Sequence, residues 1–318
     1  MAKTYIIGHQ KPDTDSVVAA MALEYLYSQA ECFGYENPQA VLINEPNPET
    51  TFLLNKFGVE APPVITADQI TAEDKIVLVD HNEESQRLPG INPDQIVEII
   101  DHHKANLNLN KPIFMTFKAW GCSATIVYYM MKRYAETPVT PDKKLASLML
   151  AAVLSDTVGF KSATTTDKDL QLGKELAKLA EIDDIDAFAF EIFKAKSDVS
   201  QLSDMELVKN DYKKYEFAES VLIGQLETVE QEAVLTQRKD GILQAMKEVQ
   251  AAEGVDHIFI AVTDVLKVNT KLLVVTPESQ AVAEKAFAVE AQNGVLDIGP
   301  KMSRKKEIAP AIEAALAE

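Results

Sequence analysis

The chain has 318 residues, long for one hydrophobic core and comfortable for two domains. Its formal charge of −18, from 49 acidic against 31 basic residues, argues against nucleic acid as a partner but leaves small anions open, because bound divalent ions would be the largest local charges in a site. The two cysteines, Cys32 and Cys122, are far apart, which excludes a disulfide framework and a four-cysteine zinc site; both read as small buried residues.

Residues 3–7 read as a buried strand. The apolar stretch there is too short for a signal-peptide core, so a cytoplasmic location is expected. Residues 16–29 carry apolar side chains at helical spacing. A short strand at 40–43 and a short helix at 49–57 follow. The runs 76–79 and 96–100, rich in β-branched residues, are strands, as is 113–117. Residues 121–134 and 141–155 read as helices, with Pro141 placed for a first turn. This alternation predicts a parallel sheet with helices on both faces. Around residues 183–198 the pattern changes to helix-like segments rich in Asp, Phe and Lys. A linker is placed at 191–197, between a first domain, 1–190, and a smaller α/β domain, 198–318. In the second domain, strands are expected near 216–226, 258–262 and 272–275, and helices at 230–252, 279–290 and 305–316. No apolar run is long enough to span a bilayer, so no membrane partner is expected.

Of five histidines, His9, His81, His102 and His103 lie with aspartates in short polar segments directly after an apolar strand. The first segment carries His9, Asp13 and Asp15. The second is Asp80-His81-Asn82-Glu83, and the third is Asp101-His102-His103-Lys104. Ligands of an open parallel sheet bind beyond the carboxyl ends of its strands, so the three segments are expected along one edge. Imidazole with carboxylate suits manganese, iron, cobalt or zinc, whereas calcium or magnesium alone would take oxygen ligands only. Alternate residues of an extended stretch point to opposite sides, so His9, Asp13 and Asp15 can reach two ions, and Asp80 at a strand tip can bridge them. Two ions about 3.5–4 Å apart clamp the attacking and leaving oxygens of phosphoryl chemistry. Packing gives no reason for Asp and His to recur at three strand tips, where burying them unpaired is costly. His257 has no such setting and reads as an ordinary packed residue. Asp156 ends an apolar helix, where an acidic group is unfavourable; spacing alone leaves a compensating cation and a solvated helix end equally open. The basic run 303–306 opens the last helix. An anion shared between backbone N–H groups and Arg304 would relieve its clash with the helix dipole, and a solvated basic face is the alternative.

The motifs GHQKPDTDSV at 8–17, VDHNE at 79–83, DHHK at 101–104, LSDT at 154–157 and SRKK at 303–306 span nearly the whole chain. In this order they resemble the family II inorganic pyrophosphatases of the DHH phosphoesterase superfamily. The length matches the plain form, without inserted regulatory domains. The resemblance implies an N-terminal DHH-type domain, a C-terminal DHHA2-like domain, and an active site in the cleft between them. It implies hydrolysis of pyrophosphate to two phosphates by a hydroxide bridging two metal ions. One ion would be held by His9, Asp13 and Asp80, the other by Asp15, Asp80, His102 and Asp156. The ions would be Mn2+ or Co2+, with additional Mg2+ arriving on the substrate. His103 would contact the substrate and help protonate the leaving phosphate. Arg304 and Lys305 match the family's phosphate-binding pair. Lys213, within Asp211-Tyr212-Lys213-Lys214-Tyr215, matches a further family lysine, with Lys214 one residue out of register and Tyr215 in place of the usual phenylalanine. A homodimer through the first domain is also implied.

The nearest rival is an exopolyphosphatase or another DHH-type phosphoesterase. Oligonucleotide-cleaving relatives carry a GGGH-like motif, and this chain has no Gly-Gly pair; SRKK in its place favours a compact, highly charged substrate. A non-catalytic metal or phosphate sensor is expected to lack a ligand or His103, and here every position is intact.

Overall fold

Uninterrupted aliphatic runs make strands that are buried on both faces, and the first half of the chain uses them in one parallel sheet. The computed structural model describes residues 2–197, 199 and 202–317. The strands β1 (Thr4–Ile7), β2 (Pro38–Val41), β3 (Lys75–Val79), β4 (Ile96–Asp101) and β5 (Phe114–Phe117) stand in the order β2-β1-β3-β4-β5. All pairings are parallel. The chain leaves β1 for β2 and returns to β3 on the other side of β1. The carboxyl ends of β1 and β3 therefore border the switch point, where sheets of this kind take ligands.

Helices α1 (Thr14–Gln29) and α3 (Ser123–Arg133) pack on one face of this sheet. Over them lie α2 (Pro48–Phe57), α4 (Lys143–Asp156), α5 (Asp167–Ala180) and α6 (Ile185–Lys196). Residues Thr14 to Ala20 of α1 are all buried, because the helix is sandwiched between the sheet and α4. Pro141 lies just outside α4 rather than in its first turn: Asp142 is the cap, its carboxylate accepting the Leu145 N–H at 2.9 Å. Helix α5 has no counterpart in the sequence reading. Its buried stripe Leu172, Leu176, Ala177 and Ala180 is interleaved with charge, and its start is fixed by a capping box between Thr166 and Asp169.

The sequence predicts helices on both faces of the sheet. The second face instead carries loops and single 3₁₀ turns, which cover Tyr5, Ile7, Ile76, Leu78 and Ile99 with Ile65 and Leu88. Prolines at 62, 63, 89, 93 and 112 deny the covering segments an α-helix.

Residues 191–196, expected as linker, are the last turns of α6. Ile192 and Phe193 are buried and complete a stripe with Phe188 and Ala189. The division between two compact units falls between Lys196 and Ser197. The expected start of the second domain, residue 198, lies outside the described residues.

The second unit contains α7 (Asp204–Asn210), β6 (Tyr212–Glu216), β7 (Ser220–Thr228), α8 (Gln231–Glu253), β8 (His257–Asp264), β9 (Asn269–Leu273), α9 (Pro277–Phe287) and β10 (Val295–Asp297). A π-turn at Arg304–Ile308 then continues into α10 (Ala309–Ala317). The sheet order is β10-β9-β8-β7-β6. Only β7 and β8 pair in parallel, joined by α8 as the crossover. Helices α7 and α8 cover one face, α9 and α10 the other. The expected single strand at 216–226 is the hairpin β6–β7; the charged YKKYE of β6 marks an edge strand rather than a core one. No described helix is long and apolar enough to cross a membrane.

Candidate metal centre

The loops after β1, β3 and β4, together with the end of α4, bring their acidic and imidazole groups to one cavity of about 660 Å3 in the first unit. Local sequence places each loop. Gly8 lets β1 pass close to α1: a Cβ there would lie 2.0 Å from Ser16 Oγ, which instead accepts the His9 N–H at 2.9 Å. Asp13 caps α1 by accepting the Ser16 N–H at 3.0 Å. Asp15 then falls in the first turn, fully buried. Asp80 directly follows β3 in left-handed backbone, φ 63°, a conformation that Asp tolerates better than most residues. Beyond Asp156, Val158, Gly159 and Phe160 all have positive φ, a strained reversal directly after the helix end.

His9 Nε2 lies 3.5 Å from Asp13 Oδ1 and 3.4 Å from Asp80 Oδ2. His102 Nε2 lies 3.3 Å from Asp80 Oδ1 and 3.8 Å from Asp156 Oδ2. Asp80 thus offers one oxygen to each imidazole. Both rings are held from behind, His9 Nδ1 at 2.7 Å from the Gln10 carbonyl and His102 Nδ1 at 3.0 Å from that of Trp120. A carbonyl needs an N–H opposite it, so in the neutral ring each Nε2 turns a lone pair toward the carboxylates. His102 Nε2 is buried without a hydrogen-bond partner. Lone pair against carboxylate is repulsive unless a proton or a cation lies between them. Metal–ligand bonds of roughly 2.0–2.2 Å would set neighbouring donors roughly 3–3.6 Å apart, close to the spacing seen here.

Among the described residues, three groups have donor atoms within 4.8 Å of one another: His9, Asp13 and Asp80; Asp15, His102 and Asp156; and Asp80, His102 and His103. All six residues expected as ligands fall within these groups, and His81 falls in none. His81 is buried, with Nδ1 at 2.9 Å from the Val79 carbonyl, and burial pulls it down to about 4. The mixed imidazole and carboxylate donors, with an orphaned buried nitrogen among them, fit a divalent transition-metal cation such as manganese, iron, cobalt or zinc.

The electrostatics point the same way. Burial, then Asp80, pushes Asp15 up to about 7. Asp156 is raised well above the carboxylate range by burial and by Asp15, Asp13 and Asp80. Burial also opposes ionisation of Asp80, but the His102 and His9 imidazoles beside it outweigh that and hold Asp80 well below the usual range. Burial alone would lower both histidines; Asp13 and Asp80 instead push His9 up to about 11, while Asp80 and Asp15 push His102 up to about 9. Without a cation the cluster must take up protons to offset its own charge.

Several supporting residues were not legible as such. The start of α3 grips Asp15 through the Ser123 N–H at 2.6 Å, the Ala124 N–H at 2.8 Å and the Cys122 thiol at 3.0 Å. Ser123 Oγ donates to Asp80 Oδ1 at 3.0 Å. Cys122 is the small buried residue expected, with its thiol in use. Asp101, quoted only as part of a motif, accepts the His103 Nδ1–H and backbone N–H, each at 3.0 Å. That contact raises the His103 pKa, while the His103 side chain stays 55% exposed.

Within the second unit, Arg304 donates through Nη2 to Asp211 Oδ1 at 2.8 Å and through Nη1 to the Asp211 carbonyl at 3.0 Å. Lys213 follows on β6, its Nζ 5.5 Å from the Tyr215 ring centre, whereas Lys214 pairs with Glu253 at 2.5 Å. Lys305 is exposed in the turn that Ser303 caps. His257 is buried between Ser279 Oγ and Glu219, 3.0 Å from each.

Two family models match the chain: the DHH family N-terminal domain over residues 3–153 and the DHHA2 domain over residues 190–315. The manganese-dependent inorganic pyrophosphatase of Methanocaldococcus jannaschii is 37% identical over 317 residues, 98% of each chain. A protein of Archaeoglobus fulgidus named "Probable manganese-dependent inorganic pyrophosphatase" is 38% identical over 99% of this chain and 98% of its own. The crystal structure of a "Methanococcus jannaschii putative family II inorganic pyrophosphatase" aligns over 99% of this chain and 100% of its own, at 36% identity and a TM-score of 0.61. An exopolyphosphatase-related protein of Bacteroides fragilis aligns over 99% and 92% at 15% identity and a TM-score of 0.51, a likeness of fold alone. By its two family domains and by relatives similar along its whole length, the chain belongs to the family II, manganese-dependent inorganic pyrophosphatases.

Proposed function

We propose that this chain hydrolyses inorganic pyrophosphate to two phosphates at a two-manganese centre. One ion is assigned to His9, Asp13 and Asp80, the other to Asp15, Asp80, His102 and Asp156. The observation that carries this assignment is Asp80, whose two oxygens each face an imidazole Nε2, at 3.4 Å for His9 and 3.3 Å for His102. Manganese, or cobalt, supplies Lewis acidity toward phosphoryl oxygens and lowers the pKa of water toward neutrality. The chain's own part is positional and protonic. Asp80, held by Ser123 Oγ, fixes the spacing of the two ligand sets. A water oxygen bonds to one phosphorus and loses a proton to solvent as the P–O bond to the leaving phosphate breaks; His103 gives the departing oxygen the proton on Nε2, and Asp101 on Nδ1 keeps the imidazolium populated. Arg304, Lys305 and Lys213 are assigned to the phosphate oxygens, with additional Mg2+ bound to the substrate.

The test is phosphate release by metal-stripped protein with Mg alone and then with Mn added, against pyrophosphate, tripolyphosphate and a dinucleotide. Mn-stimulated release from pyrophosphate is expected. Preference for tripolyphosphate would move the chain to the exopolyphosphatase branch, and no release from any of the three would remove the catalytic assignment. The substitution His103→Gln is expected to lower kcat by about 10²–10⁴-fold, with manganese binding intact by equilibrium dialysis. Metal loss in this variant equal to that in Asp80→Ala would overturn the division of roles.

A cytoplasmic homodimer through the first unit belongs to the same proposal. The dimer's support is the edge strand β5, where Phe114 is 74% and Met115 55% exposed on a parallel sheet whose other strands are mostly buried. Phe114→Glu is expected to run as a monomer in size-exclusion chromatography. A monomeric parent protein would remove the dimer from the proposal.

A further inference from the structure

His103 is held through a second side chain that the assignments above leave unused. Asp101 Oδ1 takes both His103 contacts, and Asp101 Oδ2 accepts a hydrogen bond of 2.5 Å from Asn82 Nδ2. Asn82 is fully buried, and both polar atoms of its side chain are engaged. Nδ2 also donates to the Lys104 carbonyl at 3.1 Å, and Oδ1 accepts the Asn106 N–H at 2.5 Å. These partners fix the amide: only the oxygen can face the Asn106 N–H, so the nitrogen faces Asp101. The Asn82 carbonyl in turn accepts Arg87 Nη2 at 2.8 Å, from a guanidinium that is itself buried. One residue of the β3 loop thus clamps the β4 loop on both sides of the His102–His103 pair, at Asp101 before it and at Lys104 and Asn106 after it.

We infer that Asn82 is a positioning residue for the reaction: through Asp101 it locks His103 with its Nδ1–H inward and its Nε2 proton available to the leaving phosphate. The inference rests on the assignment of His103 as proton donor. The chemistry explains the residue type. Asp101 needs a donor and the Asn106 N–H needs an acceptor, a few ångströms apart in a buried place, and one short amide supplies both. An aspartate would set a second carboxylate against Asp101, and an alanine would leave the buried Asp101 Oδ2 without its donor and the Asn106 N–H without its acceptor.

The test separates this role from simple support of the loop. Asn82→Ala is expected to lower kcat by about 10–100-fold, the usual effect of losing an outer partner, with KM and the manganese titration unchanged. In a His103→Gln background the same substitution is expected to cost no further turnover, because its effect runs through His103. Equal losses in both backgrounds, or manganese binding lost in step with kcat, would overturn the inference. If Asn82→Ala does not fold, Asn82→Asp keeps the volume and the acceptor for Asn106 but removes the donor; the same kcat loss is expected, and wild-type turnover would overturn the inference. If His103→Gln itself retains full turnover, the proton-donor assignment fails, and the imidazole Nδ1–H resonance of His103 then decides the matter separately. Its loss in the Asn82 variants upholds the positioning, and its persistence refutes it.

Discussion

Asp80→Ala is expected to empty both manganese positions and to abolish pyrophosphate hydrolysis. The loss should exceed the roughly 10–100-fold that follows removal of an outer partner, because the proposed centre gives Asp80 to both ligand sets. Its carboxylate lies 3.4 Å from His9 Nε2 and 3.3 Å from His102 Nε2, so one substitution takes a ligand from each ion. Unfolding is not the expected cause. Asp80 contributes to raising Asp15 and Asp156, and deleting it relieves repulsion among buried carboxylates even as the two imidazoles lose their partner. The measurement is manganese bound per chain by equilibrium dialysis, alongside a melting curve. Two ions per wild-type chain and none per variant, with the melting transition retained, is the expected pattern. Asp156→Ala, which belongs to one set only, should retain one ion. An Asp80 variant that binds two ions at wild-type affinity would rule out a bridging role.

The part of this centre that spacing exposes is the part carried on strand tips. His9, Asp80 and His102 each follow a short apolar run, and the period of those runs is enough to predict a shared edge. The helix end at Asp156 is visible for the same reason, since the apolar stretch before it stops there. The grip on Asp15 is different. Ser123 is 108 residues away from it in sequence, and nothing local to Cys122 or Ser123 says that the start of α3 points at a buried carboxylate. Asn82 is equally silent, because its role depends on a loop from a neighbouring strand. In the fold, the apolar pattern correctly places the core strands but says little about what covers them. The second face of the first sheet is closed by proline-rich loops, and β6 is hidden in a charged stretch that only its partner β7 makes a strand. Lys305 and Lys213 were legible only through their motifs, and Arg304 only as a candidate anion contact in a basic run. What composition does show of them is a basic turn at the start of the last helix, and in the second unit Arg304 is anchored on Asp211, two residues before Lys213.

Removing the metal is expected to reverse how stability responds to pH. In the metal-free cluster His9 is pushed up to about 11, His102 to about 9 and Asp15 to about 7, and Asp156 is raised as well. Each of these groups binds its proton more tightly in the folded than in the unfolded chain. The stability it contributes is therefore fully present below its unfolded pKa and is lost as pH rises through the folded value. The windows of His102 and Asp15 lie largely between about pH 4 and about pH 9, so the stripped protein should melt at progressively lower temperature from about pH 6 to about pH 8.5. Asp80 and Asp101 are depressed and act in the opposite sense, but only as pH falls below about 4, outside this range. With manganese bound, the cation takes the place of those protons. Binding releases them, affinity rises with pH, and the stabilisation from excess metal grows with it. The difference in melting temperature between loaded and stripped protein should widen over the same pH range. The charge of −18 repels itself in both forms and cancels from that difference. Calorimetric scans across pH, in chelator and in excess manganese, make the comparison. A difference that stays constant with pH would mean that metal and protons do not compete for these groups, and the second ion would have to be sought away from Asp15, His102 and Asp156.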